Sequence, residues 1–176
     1  MEKTYLKEIH GAILIDSDRH KDDRGYFQEI YNSKKSNSCW EFDPQFGAQQ
    51  VNISHSKANT VRGLHVAPYS KLVTCLRGRL FDVVADVRDW SPTRGNWYGV
   101  WLTEWNQQQL LVPRGCAHGF YAESDETVLV YAQNGNYEPD KEYAINWKDP
   151  KIKVVWPEAV EYHLSDKDSK APMWEG

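Results

Sequence analysis

Cysteine is scarce: Cys39, Cys75 and Cys116 are the only three in 176 residues, an odd number without Cys-x-x-Cys spacing. This argues against a disulfide framework and a zinc site, and reduced thiols in a cytoplasmic protein are expected. Long apolar runs are missing too. No stretch approaches the ~18 residues that a membrane span needs, and the polar start at Met1-Glu2-Lys3 carries no signal-peptide core. Nor is there a surplus of positive charge: 21 Lys and Arg face 25 Asp and Glu, a net charge of −4. With the signs mixed along the chain, no basic field exists to hold nucleic acid. Helical periodicity is equally thin. Only Asn32 to Trp40 and the tail after Ser165 are weakly helical, and neither sustains a 3.6-residue apolar period. Without repeats, low-complexity tracts or linker-like runs, residues 1–176 are expected to form one domain.

What is present is strand-forming. Aromatic residues make up 13% of the chain, with eight Trp and ten Tyr. The short apolar runs are β-branched and bounded by Gly, Pro, Asn or Asp. Strands are predicted around 12–15, 26–31, 48–54, 60–65, 71–76, 79–87, 97–102, 109–112, 117–122, 127–133 and 152–156, a spacing that suggests an all-β sandwich or barrel. Asn52-Ile53-Ser54 matches a glycosylation acceptor but reads as an ordinary strand triplet. In LFDVVADV, from Leu80 to Val87, alternation puts Asp82 and Asp86 on one face with Leu80 and Val84. A face that mixes acids with large apolar residues reads as a pocket wall.

The stretch RGLHVAPYSKLV, residues 62 to 73, places Arg62, His65 and Lys71 among strand-like residues. If the strand is regular, Arg62 and His65 point to opposite faces, and they serve one cleft only at the strand's end, where the chain turns through Pro68. Elsewhere stand His118 in PRGCAHGF, Tyr131 in VLVYAQ and Asp168 in LSDKD.

The stretches DDRGYFQEIY, QQVNISHS, VRGLH, KLVTCLRGRLFDVVADVR, SPTRGNW, VPRGCAHGFY, VYAQNGNYEPDKE, INWKDPKIKVVWP and LSDKDSKAP follow one another in an order that resembles the dTDP-4-dehydrorhamnose 3,5-epimerase family. The resemblance runs from about residue 11 to 172. It implies a cupin-type jelly roll, a double sheet with a few short peripheral helices. It also implies a homodimer whose N-terminal segments cross to the partner, and chemistry on a nucleotide-diphosphate-linked 4-keto-6-deoxy sugar without cofactor or metal. A C–H beside a ketone is a weak acid, so such an enzyme must remove the proton and stabilise the enolate. By the resemblance His65 is the base, Asp168 the carboxylate that orients it, Lys71 the cation near the ketone, and Tyr131 the acid on the opposite face. Arg24, Phe27, Glu29, Gln50, Asn52, Arg62, Tyr137 and Glu142 match nucleotide-binding positions. Among the substrate-binding positions, His118 matches a pocket histidine beside the sugar and Asp82 an acid near the catalytic pair; Asp86 matches a position without an assigned role.

The chain also departs from the family pattern. After RGLH an aromatic, a glutamine and a longer loop are usual; here Val66-Ala67 and the shortened Pro68-Tyr69-Ser70 lead straight to Lys71. Ala132 stands where a lysine is common. These changes leave open the nucleotide, dTDP or GDP, the sugar, hexose or heptose, and inversion at C3, C5 or both. A metal-dependent cupin oxygenase is a rival class, though RGLHVAP supplies one histidine without the His-x-His of a first cupin motif. A non-catalytic sugar-binding cupin and a ketoisomerase on the same fold are the others.

Overall fold

The computed structural model describes residues 2–36 and 47–176. Along the chain run β1 (Glu2–Tyr5), β2 (Ile13–Asp16), β3 (Arg19–Asp22), β4 (Gly25–Gln28), α1 (Ser33–Ser36), β5 (Gln50–Ser56), β6 (Thr60–Val66) and β7 (Lys71–Arg77). They are followed by β8 (Arg79–Ala85), β9 (Trp97–Thr103), β10 (Gln108–Val112), β11 (Ala117–Ala122), β12 (Thr127–Gln133), a 3-10 turn (Pro139–Lys141), β13 (Tyr143–Ala144) and α2 (Asp166–Ser169). A six-stranded sheet has the order β1-β2-β10-β7-β12-β5, a five-stranded sheet the order β13-β6-β11-β8-β9, and β3-β4 form a separate hairpin. The all-β double sheet expected from the strand pattern is the architecture found.

Between the two sheets the inward residues of alternating strands meet. Val73, Leu110 and Leu129 from one sheet pack with Leu80, Val84, Leu102 and Phe120 from the other, and a fully buried leucine of this kind contributes about 2 kcal/mol. The outer face of the five-stranded sheet is equally apolar. There Leu64, Val66, Val83 and Ala117 are covered by Ile145, Ile152, Val154, Trp156 and Trp174, while Val61 and Tyr121 lie under Trp147, Tyr162 and Leu164. The C-terminal segment thus acts as a third, irregular layer.

The segment 152–156, predicted as a strand, belongs to that layer and joins neither sheet. The Ile152 N–H donates to Asp149 Oδ1 at 3.0 Å, the Lys153 N–H to the Asp149 carbonyl at 2.9 Å, and Lys153 takes a positive φ of 59°. Its alternation is real, because Ile152, Val154 and Trp156 do pack inward, but it reports burial and not a ladder. Three short strands, β1, β3 and β13, have no counterpart among the predicted ones. The first two, EKTY and RHKD, are mostly exposed and carry no apolar alternation. Of the weakly helical window from Asn32 to Trp40, Ser33–Ser36 is helical. The remainder, with Cys39, lies outside the described residues. The Asn52-Ile53-Ser54 triplet sits inside β5. No helix of the described residues is long and apolar enough to cross a membrane.

One irregularity positions the site. Between β6 and β11, His65 pairs with His118 and Arg62 with Phe120, so Gly63 and Leu64 together stand opposite Gly119. This β-bulge shifts the side-chain parity by one. Arg62 and His65, expected on opposite faces, consequently line the same cavity. Only glycine fits the bulge: Gly63 has φ +123°, and a Cβ there would lie 2.6 Å from Gly119 Cα and 2.8 Å from the His118 carbonyl oxygen.

Candidate active site

Strands β5, β6, β7, β11 and β12 place their inward polar residues around two adjoining cavities. The first, about 350 Å³, is lined by Arg62, His65, Lys71, His118 and Tyr131 along with Ser54 and Phe120. The second, about 400 Å³, shares His65, Lys71 and Tyr131 and adds Gln50, Asn52, Tyr69, Gln133, Tyr137, Glu142 and Lys167.

His65 Nε2 lies 2.6 Å from Asp168 Oδ1. Asp168 comes from the first turn of α2, where Ser165 caps the helix by accepting the Asp168 N–H at 3.1 Å. The residue is 4% exposed. Burial pushes its pKa up, but the His65 hydrogen bond and charge, the Gly63 N–H and Ser165 outweigh it and hold the group below the usual carboxylate value. An ionised Asp168 keeps Nε2 protonated and leaves Nδ1 to accept a proton. Beside it stands a second pair: His118 Nε2 and Asp82 Oδ1 are 2.9 Å apart. Asp82 is completely buried and lines neither cavity. The pocket-wall reading of LFDVVADV therefore holds only indirectly, since Asp82 supports His118 from behind and is out of reach of a bound molecule. Asp86 is elsewhere employed, accepting from Arg88, Ser91 and Thr93 in the turn after β8.

Lys71 is 8% exposed at the start of β7. Burial lowers its pKa, with the Glu142 and Asp82 carboxylates pulling the other way. Its Nζ lies 5.5 Å from the ring centre of Tyr69 and 5.9 Å from that of Tyr131, and among the described residues it makes no ion pair. The Tyr131 pKa is raised, first by burial and then by the charge of Glu142, against a smaller opposing effect of Arg62. It is accordingly a protonated phenol at neutral pH. Arg62 is fixed by Ser56 Oγ at 3.1 Å and by the His55 carbonyl at 3.0 Å.

In the second cavity the amides form a chain. Gln50 Nε2 donates to Asn52 Oδ1 at 2.8 Å, Asn52 Nδ2 to Gln133 Oε1 at 3.2 Å, and the Tyr137 N–H to Gln50 Oε1 at 2.9 Å. The Tyr69 hydroxyl donates to Glu142.

Of the residues expected at the site, His65, Lys71, Tyr131, His118, Arg62, Gln50, Asn52, Tyr137 and Glu142 line the cavities, and Asp168 stands directly behind His65. Arg24, Phe27 and Glu29 do not. They belong to the β3-β4 hairpin and its exit, where Arg24 pairs with Asp22, its side chain 90% exposed, and Phe27 is 69% exposed. Tyr69, Gln133, Ser54 and Lys167 line the cavities without having been expected there. Ser54 follows Gln50 and Asn52 at period two along β5, a signal present in the sequence, and Lys167 adjoins Asp168. Among the described residues no group of three or more His, Cys, Asp and Glu could hold a metal ion.

A base backed by a carboxylate, a buried cation and a neutral phenol around one cavity suit proton transfer at a carbon next to a carbonyl. The family model described as dTDP-4-dehydrorhamnose 3,5-epimerase matches residues 6–176. The chain belongs to that family. An enzyme of this name from Streptomyces griseus is 38% identical over 168 residues, covering 93% of this chain and 82% of its own. The crystal structure of a dTDP-6-deoxy-D-glucose-3,5-epimerase from Legionella pneumophila, in complex with dTDP-4-keto-L-rhamnose, superposes with a TM-score of 0.91 at 32% identity. It covers 98% of this chain and 92% of its own. A 3'-monoepimerase from Streptomyces bikiniensis, in complex with dTDP-quinovose, gives 0.89 at 32% identity, covering 96% and 86%. The protein is an enzyme of the isomerase class, and the cupin-type jelly roll implied by the sequence is its fold.

Proposed function

We propose that the protein epimerises a dTDP-linked 4-keto-6-deoxy sugar, of the dTDP-4-keto-6-deoxyglucose type, at C3, C5 or both, within deoxysugar biosynthesis. The observation that carries this reading is the His65–Asp168 pair sharing one cavity with Lys71 and Tyr131. His65 Nδ1 takes the proton from the carbon next to the ketone. The electron pair moves onto the ketone oxygen, where the buried Lys71 ammonium offsets the developing charge, with His118 beside the sugar. Tyr131 returns a proton to the opposite face, which inverts the centre. Return by His65 to the same face would regenerate the substrate.

The nucleotide end occupies the second cavity, with Gln50, Asn52, Tyr137 and Glu142 around it and Arg62 toward the diphosphate, its planar fork suited to two parallel hydrogen bonds. Arg24, Phe27 and Glu29 complete the site from a second copy of the chain. In a homodimer the β3-β4 hairpin crosses to the partner, which accounts for a hairpin that carries nucleotide-binding residues yet stands clear of its own cavity. We read the whole chain as one domain working in the cytoplasm, in keeping with free, buried Cys75 and Cys116. Inversion at C3 alone is the second reading, favoured by the similarity to a 3'-monoepimerase.

Incubation with dTDP-4-keto-6-deoxyglucose in deuterated water, followed by NMR of the product, tests the assignment. Deuterium enters at C3 and C5, or at C3 alone. His65→Asn abolishes exchange, while Tyr131→Phe allows exchange and loses inversion at one carbon. Full activity of both variants would overturn these roles. Absence of exchange in the unaltered protein, with this sugar and its GDP-linked counterpart, would favour a binding protein.

A further inference from the structure

An ammonium and a carboxylate in one cavity ordinarily pair, yet Lys71 and Glu142 line the same cavity and make no ion pair with each other. The reason lies in the shortened segment after His65. There Pro68-Tyr69-Ser70 brings Tyr69 into the cavity wall, 6% exposed, with its ring against Gly135, where a Cβ would come within 2.9 Å of the Tyr69 side chain. The Tyr69 hydroxyl donates to Glu142 Oε1, and the ring of the same residue lies 5.5 Å from Lys71 Nζ. One side chain thus occupies both groups, the carboxylate by a hydrogen bond and the ammonium by its aromatic face. A cation beside two aromatic rings is stabilised without a counter-ion that would neutralise its field.

We propose that Tyr69 is a positioning residue that anchors Glu142 away from Lys71 and so keeps the Lys71 ammonium unpaired, free to act on the ketone oxygen of the substrate. The inference rests on the reading of Lys71 as the enolate-stabilising cation. Burial, then the Glu142 carboxylate, raises the Tyr69 pKa, so its hydroxyl remains a donor across the working pH range. Glu142, already stabilising the charge on Lys71 from a distance, would swing onto it once released. A direct carboxylate contact raises a lysine pKa while cancelling the field it offers to a substrate.

Two measurements separate this proposal from the assignment of Lys71 on which it rests. The first needs no substrate: the Lys71 titration, followed by NMR at Cε in the full chain. Tyr69→Phe keeps the ring and removes only the hydroxyl. It shifts the Lys71 midpoint up by about one pH unit, and Tyr69→Phe/Glu142→Gln returns it to the original value or below. The second is turnover of dTDP-4-keto-6-deoxyglucose. The single variant loses about tenfold in kcat with KM changed far less, a split that a merely structural tyrosine would not show. A Lys71 midpoint unmoved by Tyr69→Phe overturns the proposal, as does a Tyr69→Phe/Glu142→Gln midpoint as high as that of the single variant. A Lys71→Met enzyme with full kcat overturns the role of Lys71 itself, and the proposal with it.

Discussion

At the scale of single residues, the chemistry depends on charges that burial alone would remove. Asp168 is ionised because hydrogen bonds from His65, Gly63 and Ser165 outweigh its desolvation. Asp168→Asn keeps the shape and turns an acceptor into a group that permits the wrong imidazole tautomer. The expected loss in kcat is on the order of 10³-fold, with little change in unfolding midpoint. Lys71 is held below the ordinary lysine value of 10.5 by burial. Since the ammonium is the useful form, kcat falls on the alkaline side at a pH lower than a free lysine would give. Lys71→Arg, ionised throughout, removes that limb from the pH profile whatever its effect on the maximum. His65, Lys71 and Tyr131 could be named from sequence because family blocks flank each of them. Tyr69 could not, since it lies in the shortened segment after His65, where the chain leaves the family pattern. The importance of Asp82 was legible but its role was not, because alternation tells which face a residue occupies and not whether a histidine stands in front of it.

At the scale of elements, the bulge in β6 and the turn after β8 are the irregular features that matter. Gly63→Ala has to drive a methyl group into the β11 backbone at a positive φ. It should cost about 2–4 kcal/mol in denaturant unfolding and lower activity by separating Arg62 from His65. Asp86 is fully buried, which would raise its pKa, yet donors from Arg88, Ser91 and Thr93 hold it at about 2, below the ordinary carboxylate value of 3.8. A carboxylate depressed in the folded state adds stability above its unfolded pKa and loses it as pH falls through the folded one. Asp86→Asn is therefore about 2 kcal/mol less stable than the natural chain at pH 7, and the difference shrinks between about pH 4 and pH 2. Urea unfolding at both ends of that window checks it. The strands with apolar alternation were legible in the sequence. The bulge was not, because a glycine inside a strand pattern signals a close approach without saying which neighbour arrives. The irregular segment 152–156 misled for the converse reason: alternate burial on a sheet's outer face looks the same whether or not the backbone joins a ladder.

For the molecule as a whole, the question is whose hairpin completes which site. If Arg24 serves the partner's cavity, two crippled chains complement each other. His65→Asn and Arg24→Ala proteins, each inactive alone, form mixed dimers with one intact site. Refolding them together in equal amounts should restore about a quarter of the natural activity, since half of the dimers are mixed and each has one working site of two. No recovery, with a dimer confirmed by light scattering, would place Arg24 in its own subunit's site or in none. The double sheet itself needed no partner to be foreseen, because strand spacing and aromatic content sufficed. The position of Arg24, Phe27 and Glu29 outside their own cavity was not legible in the sequence, because no local pattern tells where a short exposed hairpin stands relative to a pocket.

The outer cover of the five-stranded sheet also carries Asp168, which meets a histidine 103 positions earlier in the chain. During synthesis both sheets emerge from the ribosome, and can close, before that aspartate does. A nascent or prematurely ended polypeptide would then have its imidazole untethered and, on the reading of His65 as the base, should fail to exchange substrate protons. Catalytic competence arrives last, with the layer that also seals the tryptophan-rich back of the fold.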